Sequence, residues 1–393
     1  MRNKVPIPIL AFAGFLVFAA VFAAGFAAAL LIDQRMDATS TADNASFGLF
    51  WEAWELVRKD FYGDLPDAQQ VTYSALRGAL GALNDPYSVL VEPQPREMER
   101  DSLRGSFGGI GAYVSKTDDG QFVLLPIEGQ PAQAAGVQEG DVLLAVDGTP
   151  VSSGSSVEDV VLAIRGPVGE PVTLTIRHPG AEEAADVIIT RAVIELPSAR
   201  WEVLEQAPDI GYIQLNRFSE KSGLEVETAI KELTEAGAGM LILDLRFNGG
   251  GLLNSAVDVL DHFFGRQTVV YQLSSGGKET GLTTSRGGIA EDIPLAVLVN
   301  SGTASASEIV AGALQDLGRA QLVGETTFGK GSVQNVYDLS DGSSLHLTSS
   351  RWYTPNRRQL DGQGLTPDIP VSLDDSGDDL QLERAIELMQ TGQ

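Results

Sequence analysis

Met240 to Leu245 is a short, nearly unbroken apolar run. A run of that length without polar alternation fits a strand covered on both faces. Its surroundings carry the matching signals. Gly211–Leu215 reads as a strand, Gly223–Ala236 as an amphipathic helix and Leu252–Phe264 as a second helix. Thr268–Leu273, Leu295–Val299 and Gln321–Glu325 read as further strands. From Trp201 onward the chain therefore alternates β and α, and its expected class is α/β.

Three stretches in this half are placed to carry chemistry. Arg246-Phe247-Asn248-Gly249-Gly250-Gly251 joins a strand to a helix, where glycines let a substrate approach the backbone or simply make a tight turn. Asn300–Asp316 (NSGTASASEIVAGALQD) is another strand-to-helix passage through small residues. Such a junction can expose a nucleophile beside the free N–H groups and positive dipole end of a helix. Ser305-Ala306-Ser307-Glu308 also matches a capping box, in which the serine only caps the helix. The third stretch, Thr327–Gln334, sets Lys330 between Gly329 and Gly331. An isolated loop lysine is usually solubilising. A lysine whose burial leaves it neutral can instead serve a serine as base. Gln334 falls on the same side of an extended strand as Lys330, yet about 13 Å away, so pairing them requires a bend that Gly331 permits.

The bulk numbers narrow the options. The 393 residues suffice for two or three domains. A formal net charge of −26, from 27 Lys+Arg against 53 Asp+Glu, argues against general nucleic-acid binding. The chain has no cysteine, which excludes disulfides, thiol catalysis and cysteine-ligated metal. With only His178, His262 and His346, neither a His-rich metal site nor a histidine base is expected. No metal and no cofactor is expected.

Ahead of the α/β half, Arg2 and Lys4 precede an apolar run from Ile7 to Ile32 that carries no charge before Asp33. Residues 1–35 read as a signal peptide or membrane anchor, with the rest of the chain exported. Residues 36–102 hold a polar linker and two helical patterns, Phe47–Tyr62 and Val71–Leu83. The aromatic stripe of the first reads as packing or a dimer contact rather than a ligand cage. Residues 103–193 change to short β-rich runs. Phe107–Ala112 (FGGIGA) precedes its strand, the reverse of the order in dinucleotide and phosphate loops, so nucleotide binding is excluded there. The order of loops, helix Val157–Arg165 and strand Pro171–Arg177 resembles a PDZ domain. In such domains the positions of Gly109, Ile110, Gly111 and Ala112 hold a peptide's terminal carboxylate while the peptide adds as a strand.

Taken in order, FGGIGA (107–112), IRGPVGEPV (164–172), LDLRFNGGG (243–251), TASASEIVAGALQD (303–316), TFGKGSVQ (327–334) and YTPNRRQLDGQGLTPDI (353–369) resemble the C-terminal processing (tail-specific) peptidases, from Phe47 to about Val371. The resemblance implies a crotonase/Clp-protease-like α/β protease core (194–373) with an inserted PDZ domain, an N-terminal helical segment and a C-terminal helix (374–393). It implies Ser305 as nucleophile, Lys330 as general base and Gln334 as the residue that positions it. Oxyanion donors would be the N–H groups of Ala306 and Gly250, with Gly249 disfavoured. Arg165 is a candidate coupling between PDZ domain and core. Substrates would be proteins or peptides with apolar C-termini, and the compartment the bacterial periplasm. A homodimer, an adaptor and cleavage of the N-terminal segment are left open. Thr303 and Phe247 depart from the family's usual residues at positions without chemistry. A non-catalytic PDZ scaffold would need Ser305, Lys330 or Gln334 to be missing, and a crotonase-like acyl-CoA enzyme would not carry an export signal or a PDZ insertion.

Overall fold

A computed structural model describes residues 47–285, 287–373 and 378–392. The expected signal or anchor lies outside the described residues. Among those described, no helix is long and apolar enough to cross a membrane. The chain divides into two compact units, up to Ala75 and from Leu76 onward. In the first, a helix over 47–60 (α1) is followed by the start of α2 (Ala68–Gly81). In this single chain Phe47 and Trp51 of α1 and Phe61 just after it are 61%, 59% and 59% exposed, so the aromatic stripe is not buried within the chain.

The second unit begins with β1 (Val89–Val91) and α3 (Pro93–Arg104). Helix α3 buries Arg96 and Asp101 rather than an apolar stripe. After β2 (Ser106–Gly109) comes the PDZ segment: β3 (Ala112–Lys116), β4 (Phe122–Pro126), α4 (Pro131–Ala134), β5 (Asp141–Val146), β6 (Thr149–Pro150), α5 (Val157–Ile164), β7 (Pro171–Arg177) and β8 (Ala185–Thr190). Its sheet runs β3-β4-β5-β7-β8, antiparallel throughout, with β6 on β5. Phe122, Leu124, Leu143, Val172, Leu174 and Ile176 form its core with Val160 and Ile164 of α5. The chain leaves along β9 (Ala192–Glu195), which pairs antiparallel with β2.

The remaining elements are β10 (Ala199–Leu204), β11 (Ala207–Leu215), α6 (Ser222–Glu235), β12 (Met240–Asp244), α7 (Leu253–Leu260), β13 (Thr268–Ser274), β14 (Glu279–Thr283), β15 (Leu295–Val299), α8 (Ala306–Asp316), β16 (Gln321–Gly324), β17 (Ser332–Asp338), β18 (Ser344–Tyr353), β19 (Ile369–Pro370) and α9 (Leu380–Thr391). They build two sheets. One has the order β10-β11-β12-β15-β16-β19, parallel except for β10. The other has the order β1-β18-β13-β14, with β17 also on β18, and is antiparallel.

The apolar run at 240–245 shows why both faces must be covered. Leu241, Leu243 and Leu245 point into a core shared with α6, α7 and α8. Ile242 points the other way, with Ala296, Leu298 and Val323, onto Ala385 and Leu388 of α9. Each such side chain, taken from water, stabilises the fold by about 1.5–3 kcal/mol. The C-terminal helix is thus the lid of the second face.

Candidate active site

Strand β15 is buried at every residue and ends in Asn300, itself fully buried. The Asn300 side-chain oxygen accepts the N–H groups of Phe247 (2.9 Å) and Gly302 (3.0 Å). Thr303 donates to Leu245 O (2.9 Å), and Ser307 to Asn248 O (2.8 Å). These bonds stitch the glycine loop to the turn before α8. Ser305 is the N-cap residue of α8, at φ 57° and ψ −116°. A non-glycine residue in that region stores about 1–3 kcal/mol of strain and persists only where its surroundings over-determine it. Phe247, in the facing loop, is also left-handed at φ 59°. The Thr303 hydroxyl and the Phe247 N–H thus both take part in holding the shape of this turn.

What holds Ser305 is Glu308, which is completely buried. Its carboxylate accepts the Ser305 N–H (2.9 Å) and the Lys330 N–H (2.8 Å) on one oxygen, and the Gly329 N–H (2.7 Å) and Thr327 hydroxyl (2.6 Å) on the other. The capping glutamate of the serine helix is thus also the anchor of the lysine loop. That loop lies so close to Leu360–Gly364 that a Cβ on Gly329, at φ 87°, would stand 2.7 Å from Gly364 N. The glycines flanking Lys330 therefore serve close backbone packing as well as flexibility.

Ser305, Ala306, Lys330 and Gln334 line one cavity of about 340 Å³, together with Gly249, Gly251, Glu99, His346 and Trp352. Ser305 and the glycine loop hang from the six-stranded sheet. Gln334, His346 and Trp352 belong to the five-stranded one, and Lys330 sits on the loop between them. Burial pushes the Lys330 ammonium below its ordinary value, against an opposing pull from Glu99, Asp85 and Glu308. The ammonium lies over the ring of Tyr87, 5.1 Å from its centre. Trp352 donates its indole N–H to Lys330 O (2.9 Å). No hydrogen bond joins the Lys330 amine to Ser305 in this structure.

Two expectations need correction. The Gln334 amide donates to Ser332 (2.9 Å) and Thr348 (3.2 Å), not to Lys330, and the bend that brings it to the cavity is a register shift between Val333 and Gln334 rather than Gly331 alone. The Gly250 N–H is engaged by the Asn248 side-chain oxygen at 2.9 Å, so it is not free for an oxyanion. Gly250 is required for another reason: a Cβ there would lie 2.8 Å from Ala304 O and from Ser305 Cβ. Gly249 lines the cavity wall instead. The cavity residues Glu99, His346 and Trp352 were missed from sequence, and Glu308 was seen only as a cap.

A second groove of about 320 Å³ lies in the PDZ segment, lined by Gly109, Ile110, Gly111 and Ala112 with Val161 and Ile164 of α5. Strand β3 is at the end of its sheet, so one edge is open to an added strand. Arg165 lines this groove, with its guanidinium 3.7 Å from the centre of the Phe107 ring and 3.7 Å from the Asp101 carboxylate on α3. Glu99 and Leu103 of α3 in turn line the serine cavity.

These features agree with what the chain is similar to. Residues 209–371 match the model of peptidase family S41, and residues 122–178 that of a PDZ domain. The carboxy-terminal-processing protease of Bartonella bacilliformis is 37% identical over 362 residues, 89% of this chain and 81% of that protein. A carboxyl-terminal-processing protease of Picosynechococcus sp. is 34% identical over 349 residues, 86% of this chain and 83% of that one. Among solved structures, a photosystem II D1 C-terminal processing protease is 32% identical, covering 86% of this chain and 90% of that chain, with a TM-score of 0.49. The chain belongs to the carboxyl-terminal-processing proteases of peptidase family S41, serine-type peptidases that carry a PDZ domain.

Proposed function

We propose that Ser305 is the nucleophile and Lys330 the general base of this peptidase, with Gln334 beside them. The observation that carries this is the strained, part-exposed Ser305 sharing one cavity with a half-buried lysine whose amine is pushed toward neutrality. The neutral Lys330 amine takes the hydroxyl proton as Ser305 Oγ attacks a peptide carbonyl near the substrate's C-terminal end. The oxyanion is met by the Ala306 N–H and by an amide of the glycine loop, for which Gly249 is now the better candidate. As the tetrahedral intermediate collapses, the Lys330 ammonium returns the proton to the leaving amine. The acyl-enzyme is then hydrolysed by water that Lys330 deprotonates. The PDZ groove holds or senses the apolar C-terminus, and Arg165 links it to α3.

The test is cleavage of an apolar-tailed peptide by the chain from about residue 36 onward. Ser305→Ala and Lys330→Ala should each lose at least about a thousandfold in kcat/KM. Undiminished cleavage by the Ser305 variant would overturn the assignment.

We further propose that the chain is exported to a bacterial periplasm and that residues 1–35 tether it or are removed there. Arg2 and Lys4 ahead of the apolar run Ile7–Ile32, and the lack of any cysteine, support this. Cell fractionation of the full chain checks it: recovery of all activity with cytosolic markers would exclude export.

A further inference from the structure

The serine cavity contains two titratable side chains that the chemistry above leaves unused, Glu99 of α3 and His346 of β18. They lie against each other. His346 Nε2 is 3.3 Å from a Glu99 carboxylate oxygen, and Arg96 Nη1 donates to that same oxygen at 2.8 Å. The Ser344 hydroxyl closes the group, 3.1 Å from His346 Nε2. Burial holds the imidazole below its ordinary value, so it is neutral at pH 7.

The charged and titratable groups that face Lys330 come from four elements: Asp85 and Tyr87 before β1, Glu99 on α3, Glu308 on α8 and His346 on β18. Glu308 is saturated by its four donors. Asp85 is held by the Ser88 hydroxyl (2.6 Å) and the Tyr87 N–H (3.2 Å). Of the three carboxylates only Glu99 lines the cavity itself. Among the described residues Lys330 makes no ion pair, although such a pair would lock it as an ammonium.

We propose that Glu99 sets the protonation of Lys330, and that Arg96 and His346 clasp its carboxylate so that it does not close an ion pair with that lysine. The clasp leaves Glu99 near enough to act through space and too constrained to reach the amine. Glu99 and His346 are then positioning residues, acting on the reaction through Lys330. This rests on Lys330 being the base.

The experiment is the pH dependence of kcat/KM on an apolar-tailed peptide for wild type, Glu99→Gln, His346→Ala, the double variant and Lys330→Ala. A base works only when deprotonated, so the rate rises with pH through the lysine's value in the free enzyme. Removing the Glu99 charge should move this acid limb down by about one pH unit. Removing His346 should move it up by about half a unit, as the freed carboxylate swings toward Lys330. The double variant should coincide with Glu99→Gln, because without the carboxylate there is nothing to clasp. An unmoved or raised limb in Glu99→Gln overturns the proposal. So does a His346→Ala shift that persists in the double variant. Activity retained by Lys330→Ala would instead refute the base assignment, which separates the two failures.

Discussion

Glu308 carries more of the site's geometry than any other single residue. Its carboxylate binds the backbone of Ser305 and of Lys330 at once, from a position with no solvent exposure. Glu308→Gln keeps the volume but turns an amide NH2 toward N–H donors, leaving buried donors without acceptors. Charge-assisted hydrogen bonds of this kind contribute about 1.5–3 kcal/mol each. We expect kcat to fall about 30- to 100-fold with KM within about threefold, since the loss is one of alignment. Steady-state kinetics showing wild-type kcat in this variant would contradict the role. At this scale the strand-to-helix junction at Ser305 and the glycine-flanked loop at Lys330 were visible as local patterns, but only the resemblance paired them, and the structure places both on one cavity. The second role of Glu308 was not, because the capping box explains its presence completely. Glu99 and His346 were invisible because nothing local relates residues so far apart in the chain.

Elements with a one-sided or fully buried apolar pattern were read close to their true limits. Strand β15 and α6 are examples, since hydrophobic periodicity is the force that forms them. Helix α3 was missed because its buried residues are Arg96 and Asp101, paired charges that periodicity counts as surface. The hairpin β17–β18 was seen only as β-prone sequence, since its cavity face mixes Ser332, Gln334 and His346 with Val333, Val336 and Trp352. The covering of the 240–245 run by α9 depends on a contact equally remote in sequence. Arg246 opens the glycine loop, and its guanidinium grips Asp244 (2.7 Å) and the N-cap Asp379 of α9 (2.6 and 2.7 Å). Burial pushes the Asp379 carboxyl up, but hydrogen bonds from Arg246 and the Leu382 N–H outweigh it and hold the group below its ordinary value. Asp379→Ala should cost about 1–2 kcal/mol at pH 7, less than a fully buried pair because Asp379 is 40% exposed. Asp379→Asn, which keeps the cap, should cost less. The depressed carboxyl stabilises above its unfolded value, so the wild-type advantage in urea denaturation should persist at neutral pH. It should shrink as pH falls below about 4, through the native value. An advantage independent of pH would show that the ion pair contributes nothing.

At the scale of the molecule, the PDZ segment enters on β2 and leaves on β9, paired side by side, so it is an insertion that does not interrupt either protease sheet. Its order of strands, and the α/β alternation after it, were readable because each follows from short-range pattern. How the two protease sheets meet was not, since it rests on contacts remote in sequence: Val269, Val270 and Trp352 of the five-stranded sheet enter the core of the six-stranded one, and Glu308 anchors the lysine loop. Ser305, at the mouth of α8, and Lys330, on the loop from β16 to β17, therefore lie at the joint between two sheets that share one hydrophobic core. A shift of about 1 Å between Ser305 and Lys330 can cost about a hundredfold in rate. Latency is thus available to this protease without unfolding: the chain can be whole, compact and silent, waiting only for its two halves to be squared.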